Sequence, residues 1–122
     1  MAITKLDHYP DVQQFITAIL KANGEYPVGC PHQNLWETLS YDEFVDGNVP
    51  GVKDPTTHQP MPILVKGKSA QSNLILALRG AQNTVFDPNT GDIGQMPANG
   101  PPFFTDDQIN SIADWIDRNC PP

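Results

Sequence analysis

The sequence predicts a single all-α domain spanning residues 1–122, with about four helices joined by long proline-rich loops. Apolar residues recur every three or four positions near both ends of the chain, which is typical of helices with one buried face. The 13 prolines and 9 glycines fall largely between these stretches. The length is close to the commonest domain size, so one modest hydrophobic core is expected.

The first and last predicted helices have the clearest signals. Pro10 suits the first position of a helix that runs to about Ala22, because proline's missing N–H costs nothing there. Thr105 and Gln108 form a capping box that begins the last helix. The apolar stripes are Val12, Phe15, Ile16, Ile19 and Leu20 in the first helix and Ile109, Ile112, Ala113 and Ile116 in the last. We expect these two helices to pack on each other.

Two shorter helices are predicted between them. Ser40 and Glu43 form a capping box for a short helix that ends at Gly47. The next helix is predicted from about Ser69 to Gly80, where a glycine is typical of the position after a helix end.

Two long loops separate these helices. Residues 48–67 contain four prolines, which predicts an irregular segment with polyproline character and not a pair of strands. Residues 81–104 form the second loop, and Asp87 to Gly91 carry a typical turn sequence.

The charge balance and hydropathy exclude several functions. There are 14 acidic and 7 basic residues, a net charge of −7, which argues against nucleic-acid binding and allows a protein partner. No apolar run is long enough to span a membrane. We expect a cytoplasmic protein if Met1 is the native start, and a periplasmic or other extracytoplasmic one if a leader has been removed.

No catalytic residues are predicted. Cys30 and His32 lie two positions apart in a loop, where neighbouring side chains tend to point apart, and no third group is placed to orient the histidine. Zinc-ligand spacing and glycine-rich phosphate loops are absent from the sequence. Cys30 and Cys120 are either two free thiols or one disulfide.

The chain from Met96 onward resembles the C-terminal half of class I c-type cytochromes. The resemblance rests on Met96-Pro97, the Gly100-Pro101-Pro102-Phe103 turn and the last helix with Trp115. Residues 69–80 and the first helix are similar to the family's third and N-terminal helices. The resemblance implies a cytochrome c-like fold, in which Met96 is the distal haem ligand and Trp115 is the aromatic residue of the last helix.

The haem-attachment motif of that family is degenerate here. The family uses C-x-x-C-H, with cysteines one and four positions before the histidine that ligates iron. This chain has only Cys30, two positions before His32. Neither thioether fits that spacing, so covalently attached haem is not expected.

The resemblance leaves open three interpretations. In the first, no cofactor is bound, Trp36 fills the vacated space, and the domain is a binding module or accessory subunit whose expected partner is a protein such as a redox enzyme. In the second, the chain is an electron-transfer protein whose haem iron is held non-covalently by His32 and Met96, near Cys30 and Trp115. The side chains expected to line that haem pocket are Phe44, Ile63, Leu64, Leu74, Leu78, Phe103, Phe104 and Trp115. In the third, Trp36, Met61 and Trp115 line a small-ligand pocket.

Overall fold

The fold combines helices with a small sheet, seen in a computed structural model that describes residues 4–22, 36, 39–87, 89–91, 93–96 and 104–122. The prediction of an all-α, cytochrome c-like fold is wrong, because two strands pair in antiparallel fashion. The elements are helices α1 (Tyr9–Ala22), α2 (Tyr41–Asp46), α3 (Asn73–Arg79) and α4 (Asp106–Asp117), strands β1 (Asn48–Lys53) and β2 (Pro60–Pro62), and a 3-10 turn (Ser69–Gln71).

The strand pair lies in the segment that the sequence predicted as a proline-rich loop. Asn48 is paired with Pro62, and Lys53 with Pro60. In a two-stranded ladder each strand has a side that faces away from its partner, and proline is tolerated there because no N–H is needed. The prolines therefore limit which backbone groups can form hydrogen bonds between the strands, but they do not prevent the strands from pairing.

The turn between the strands is organised by Asp54. Its carboxylate accepts a hydrogen bond from the backbone N–H of Thr56 at 2.7 Å, and its carbonyl oxygen accepts one from the N–H of His58 at 2.8 Å. His58 has a left-handed φ of 59°. These bonds within a few residues close the hairpin.

Both capping boxes predicted from the sequence are confirmed. The Ser40 hydroxyl accepts the N–H of Glu43 at 3.2 Å, and the Glu43 carboxylate accepts the N–H of Ser40 at 3.0 Å. Thr105 and Gln108 make the equivalent bonds at 3.2 and 2.9 Å. The first helix also begins and ends within one residue of its predicted bounds.

The helix predicted from Ser69 to Gly80 is interrupted at Ser72. The Ser72 side chain is buried and accepts the N–H of Val65 at 2.9 Å while donating to the carbonyl oxygen of Lys68 at 3.0 Å. A side chain that bonds the preceding loop competes with regular helix, which explains the separate 3-10 turn. Gly80 ends α3 with a φ of 58°, as predicted.

The interior consists of two groups of apolar side chains. The second cluster is Met61, Ala77 and Phe86, beneath the loop after α3. The main cluster is Leu6, Tyr9, Val12, Ile16, Ile19, Leu20, Trp36, Phe44, Val45, Ile63, Leu64, Ile75, Leu78, Phe104, Ile109, Ile112, Ala113, Trp115, Ile116 and Cys120. The four helices whose ranges are given above each contribute to the main cluster, including the two expected to pack on each other. No helix within the described ranges is long and apolar enough to cross a membrane.

Candidate functional site

The residues predicted to form a site are only partly within the described structure. Cys30 and His32 lie outside the described residues, so the ligand pair of His32 and Met96 and the disulfide to Cys120 stay predictions. Met96, Trp115 and Cys120 are described, and all three pack in or against the main cluster.

Met96 lies at the end of α3, at the junction of the two clusters. Its side chain is partly buried and packs against both of them. Its backbone N–H donates to the carbonyl oxygen of Ala77 at 2.8 Å, and the side-chain amide of Gln95 donates to the carbonyl oxygen of Leu78 at 3.1 Å. Carbonyl groups in the last turn of a helix lack helical partners. Residues 95 and 96 therefore cap α3 from outside the helix.

Trp115 belongs to a group of four rings, of which three lie in the main cluster and the fourth, Tyr41, is partly buried and packs against it. Tyr9 lies between the others, with its ring centroid 5.8 Å from Tyr41, 5.2 Å from Phe44 and 6.2 Å from Trp115. Trp115 and Phe44 are both 0% exposed. The indole N–H of Trp115 donates to the carbonyl oxygen of Pro121 at 2.9 Å. We call these four residues the aromatic group.

The two tyrosines of this group were not predicted as part of it. Tyr9 donates its hydroxyl hydrogen bond to the carbonyl oxygen of Leu39 at 2.9 Å, and burial raises the pKa of Tyr9 to about 12. Tyr41 donates to the carbonyl oxygen of Cys120. Their positions in the sequence could have indicated that each begins a helix, because Tyr9 precedes Pro10 and Tyr41 follows the capping residue Ser40.

Most of the side chains predicted to line a haem pocket are buried in the structure. A side chain that lines a space of haem size retains surface accessible to solvent. Of the eight residues predicted to line the haem pocket, six are no more than 7% exposed. Leu74 is partly buried, and Phe103 lies outside the described residues. The six buried side chains are Phe44, Ile63, Leu64, Leu78, Phe104 and Trp115.

The predicted small-ligand pocket is not assembled either. Trp36 and Trp115 belong to the main cluster, whereas Met61 belongs to the second cluster. Trp36 is 6% exposed, and its indole N–H donates to the hydroxyl of Thr17 at 2.9 Å. An open depression does lie along the polar side of α1, lined by Gln13, Gln14, Thr17, Ala18 and Lys21.

Cys120 lies in a turn that returns the chain to the main cluster. Asn119 and Cys120 have left-handed φ values of 65° and 49°, and the N–H of Cys120 donates to the carbonyl oxygen of Trp115 at 3.1 Å. Cys120 is the one cysteine among the described residues, and its side chain is 0% exposed. Burial raises the pKa of the Cys120 thiol from its usual value near 9 to about 11.

We expect Cys120 to react slowly with a disulfide reagent such as DTNB at pH 8. The raised pKa alone lowers the thiolate fraction by roughly 100-fold, and burial slows access further. Stopped-flow absorbance on a Cys30→Ser variant isolates Cys120, and its rate should rise with pH up to about 11. Equal rates in the native and urea-unfolded variant would contradict this burial. In the wild-type chain, two titratable thiols after non-reducing denaturation would exclude the disulfide.

Comparisons with known proteins leave the site to be interpreted from its own residues. No protein-family model, curated protein or solved structure matches the chain. In the described part of the chain, no group of three or more His, Cys, Asp and Glu side chains is placed to hold a metal ion.

Proposed function

We propose that this chain, whose haem-attachment motif is degenerate, binds no covalent haem and acts as a non-catalytic protein-binding module or accessory subunit. The observation that carries the proposal is the burial of the side chains expected around a haem. Phe44 and Trp115 are 0% exposed and Ile63 is 1% exposed. They pack against protein atoms instead of facing a space that a cofactor would fill, so the surface is left to carry the function.

The register of the degenerate motif supports the same proposal. A thioether to haem needs a cysteine one or four positions before the iron-ligating histidine, and Cys30 stands two positions before His32. A haem would depend on its axial ligands and on an apolar pocket for binding. Three of the four rings of the aromatic group are buried in the main cluster, among the side chains that would have to form such a pocket.

The surface charge supports a partner with a basic surface. The chain has an excess of 7 acidic residues, and Asp42, Glu43 and Asp46 are all exposed on α2. A field of one sign increases the rate of association with a surface of opposite sign and is screened by salt. We therefore expect the purified complex to have a Kd that rises steeply with ionic strength. A Kd independent of salt would contradict the charge argument.

The haem question is tested by expressing the protein with a haem supply and recording its visible spectrum after desalting. We expect no stoichiometric Soret band. A one-to-one Soret band that shifts on reduction with dithionite would overturn the proposal and support the electron-transfer alternative. In that case Met96→Ala should change the spectrum and lower the reduction potential, whereas Met61→Ala serves as the matched control.

A further inference from the structure

The two methionines of the described structure differ in accessibility. Met61 is 4% exposed at the centre of the second cluster. Met96 is partly buried and packs against the edges of both clusters. A peroxide in solution therefore meets the thioether of Met96 much more readily than that of Met61.

Residues 93–96 are held to the rest of the fold by backbone hydrogen bonds and by the side-chain amide of Gln95, which donates to the carbonyl oxygen of Leu78 at 3.1 Å. The N–H groups of Ile93 and Gly94 both donate to the carbonyl oxygen of Val85, at 2.9 and 3.0 Å, and the N–H of Met96 donates to Ala77 at 2.8 Å. The apolar contacts of this segment come from Ile93, which packs on the second cluster, and from Met96. Among the described residues of this segment, Met96 is therefore the one whose side chain packs against the main cluster.

We infer that Met96 is a redox-sensitive contact, whose oxidation by a peroxide releases residue 96 from the end of α3 and from both clusters. A lone pair of the Met96 sulfur attacks one peroxide oxygen, the O–O bond breaks and an S–O bond forms. The second oxygen takes up a proton and leaves as water or an alcohol. The thioether is oxidised by two electrons and the peroxide is reduced by two. No other co-reactant is needed.

The product explains the release. A sulfoxide is strongly polar, and burying it without hydrogen-bond partners is unfavourable. The oxidised side chain is therefore expelled from both clusters toward water. The hydrogen bond from Met96 to Ala77 then loses the packing that holds it, and the Gln95 bond to Leu78 is left as the outer cap of α3. This inference does not depend on the proposed binding role, because it concerns only the chain's own packing.

The test treats the native protein with hydrogen peroxide and maps the product by peptide mass spectrometry, which resolves each of the 3 methionines. We expect Met96 to be oxidised at least ~10-fold faster than Met61. In the oxidised protein, hydrogen exchange should accelerate at the amide of Met96, and Tm should fall by roughly 4 °C or more. Methionine sulfoxide reductase should reverse both changes.

Two variants separate this redox-sensitive contact from other oxidation events. Met96→Leu keeps an apolar side chain of similar volume, and its Tm should not respond to peroxide. Met61→Leu retains Met96 and should respond as the wild-type protein does. Equal oxidation rates at Met61 and Met96, unchanged exchange in Met96-oxidised protein, or a peroxide response that persists in Met96→Leu would each overturn the inference. The last outcome would assign the response to another oxidisable side chain, either a remaining methionine or a cysteine. These measurements on the wild-type protein suffice if a variant does not fold.

Discussion

Replacing Trp115 with alanine is expected to lower the free energy of unfolding by about 3–5 kcal/mol. The side chain is 0% exposed, with its ring 6.2 Å from Tyr9 and 6.4 Å from Phe44. Alanine leaves a cavity among these rings and also removes the N–H that bonds Pro121. Because small domains are stable by only about 5–15 kcal/mol, this single change threatens the whole fold.

Urea unfolding followed by circular dichroism measures this effect. Trp115→Phe retains a ring but not the N–H, so we expect an intermediate loss of about 1–3 kcal/mol. Val65→Ala is the control, because Val65 is 37% exposed and surface substitutions usually change stability by less than ~0.5 kcal/mol. A loss below ~1 kcal/mol for Trp115→Ala would show that space remains beside the indole, and would favour the haem-binding alternative.

Replacing Ile112 with alanine is expected to lower the free energy of unfolding by about 2–5 kcal/mol. Ile112 is 0% exposed at the middle of α4 and belongs to the main cluster that α1 also lines. The lost apolar contacts and the cavity both contribute, since the surrounding helices relax only in part.

Phe15→Ala is the matched comparison for this change. The sequence placed Phe15 in the same buried stripe as Val12 and Ile16, yet Phe15 is only partly buried, while Val12 is 0% exposed. We therefore expect a smaller loss at Phe15 than at Ile112 in the same urea titration. Losses below ~0.5 kcal/mol at both sites would contradict a core shared by α1 and α4.

Local interactions made most helix ends predictable from the sequence. Each capping box joins residues three apart, as in Ser40 with Glu43 and Thr105 with Gln108. Gly80 ends α3 because a left-handed φ of 58° suits glycine. The predicted helix from Ser69 was too long, because the break at Ser72 depends on bonds to the preceding loop.

The candidate site was predictable only in part. The sequence identified Met96 and Trp115 as candidate site residues, and it suggested that bulky side chains fill the interior. It did not indicate that Tyr9 and Tyr41 would join Phe44 and Trp115, because these rings come from three helices. It also placed Met61 beside Trp36, whereas the structure assigns these two side chains to separate clusters.

The sequence by itself determined the caps, the apolar stripes and the acidic charge of this protein, because each depends on residue types and on neighbours within about four positions. Only the tertiary structure decided that the proline-rich segment forms a strand pair. Asn48 and Pro62 lie 14 positions apart, and their pairing depends on how the chain packs and not on local propensity. The aromatic group was decided in the same way, since contacts between Tyr9 and Trp115 stabilise the fold only after α1 and α4 have come together.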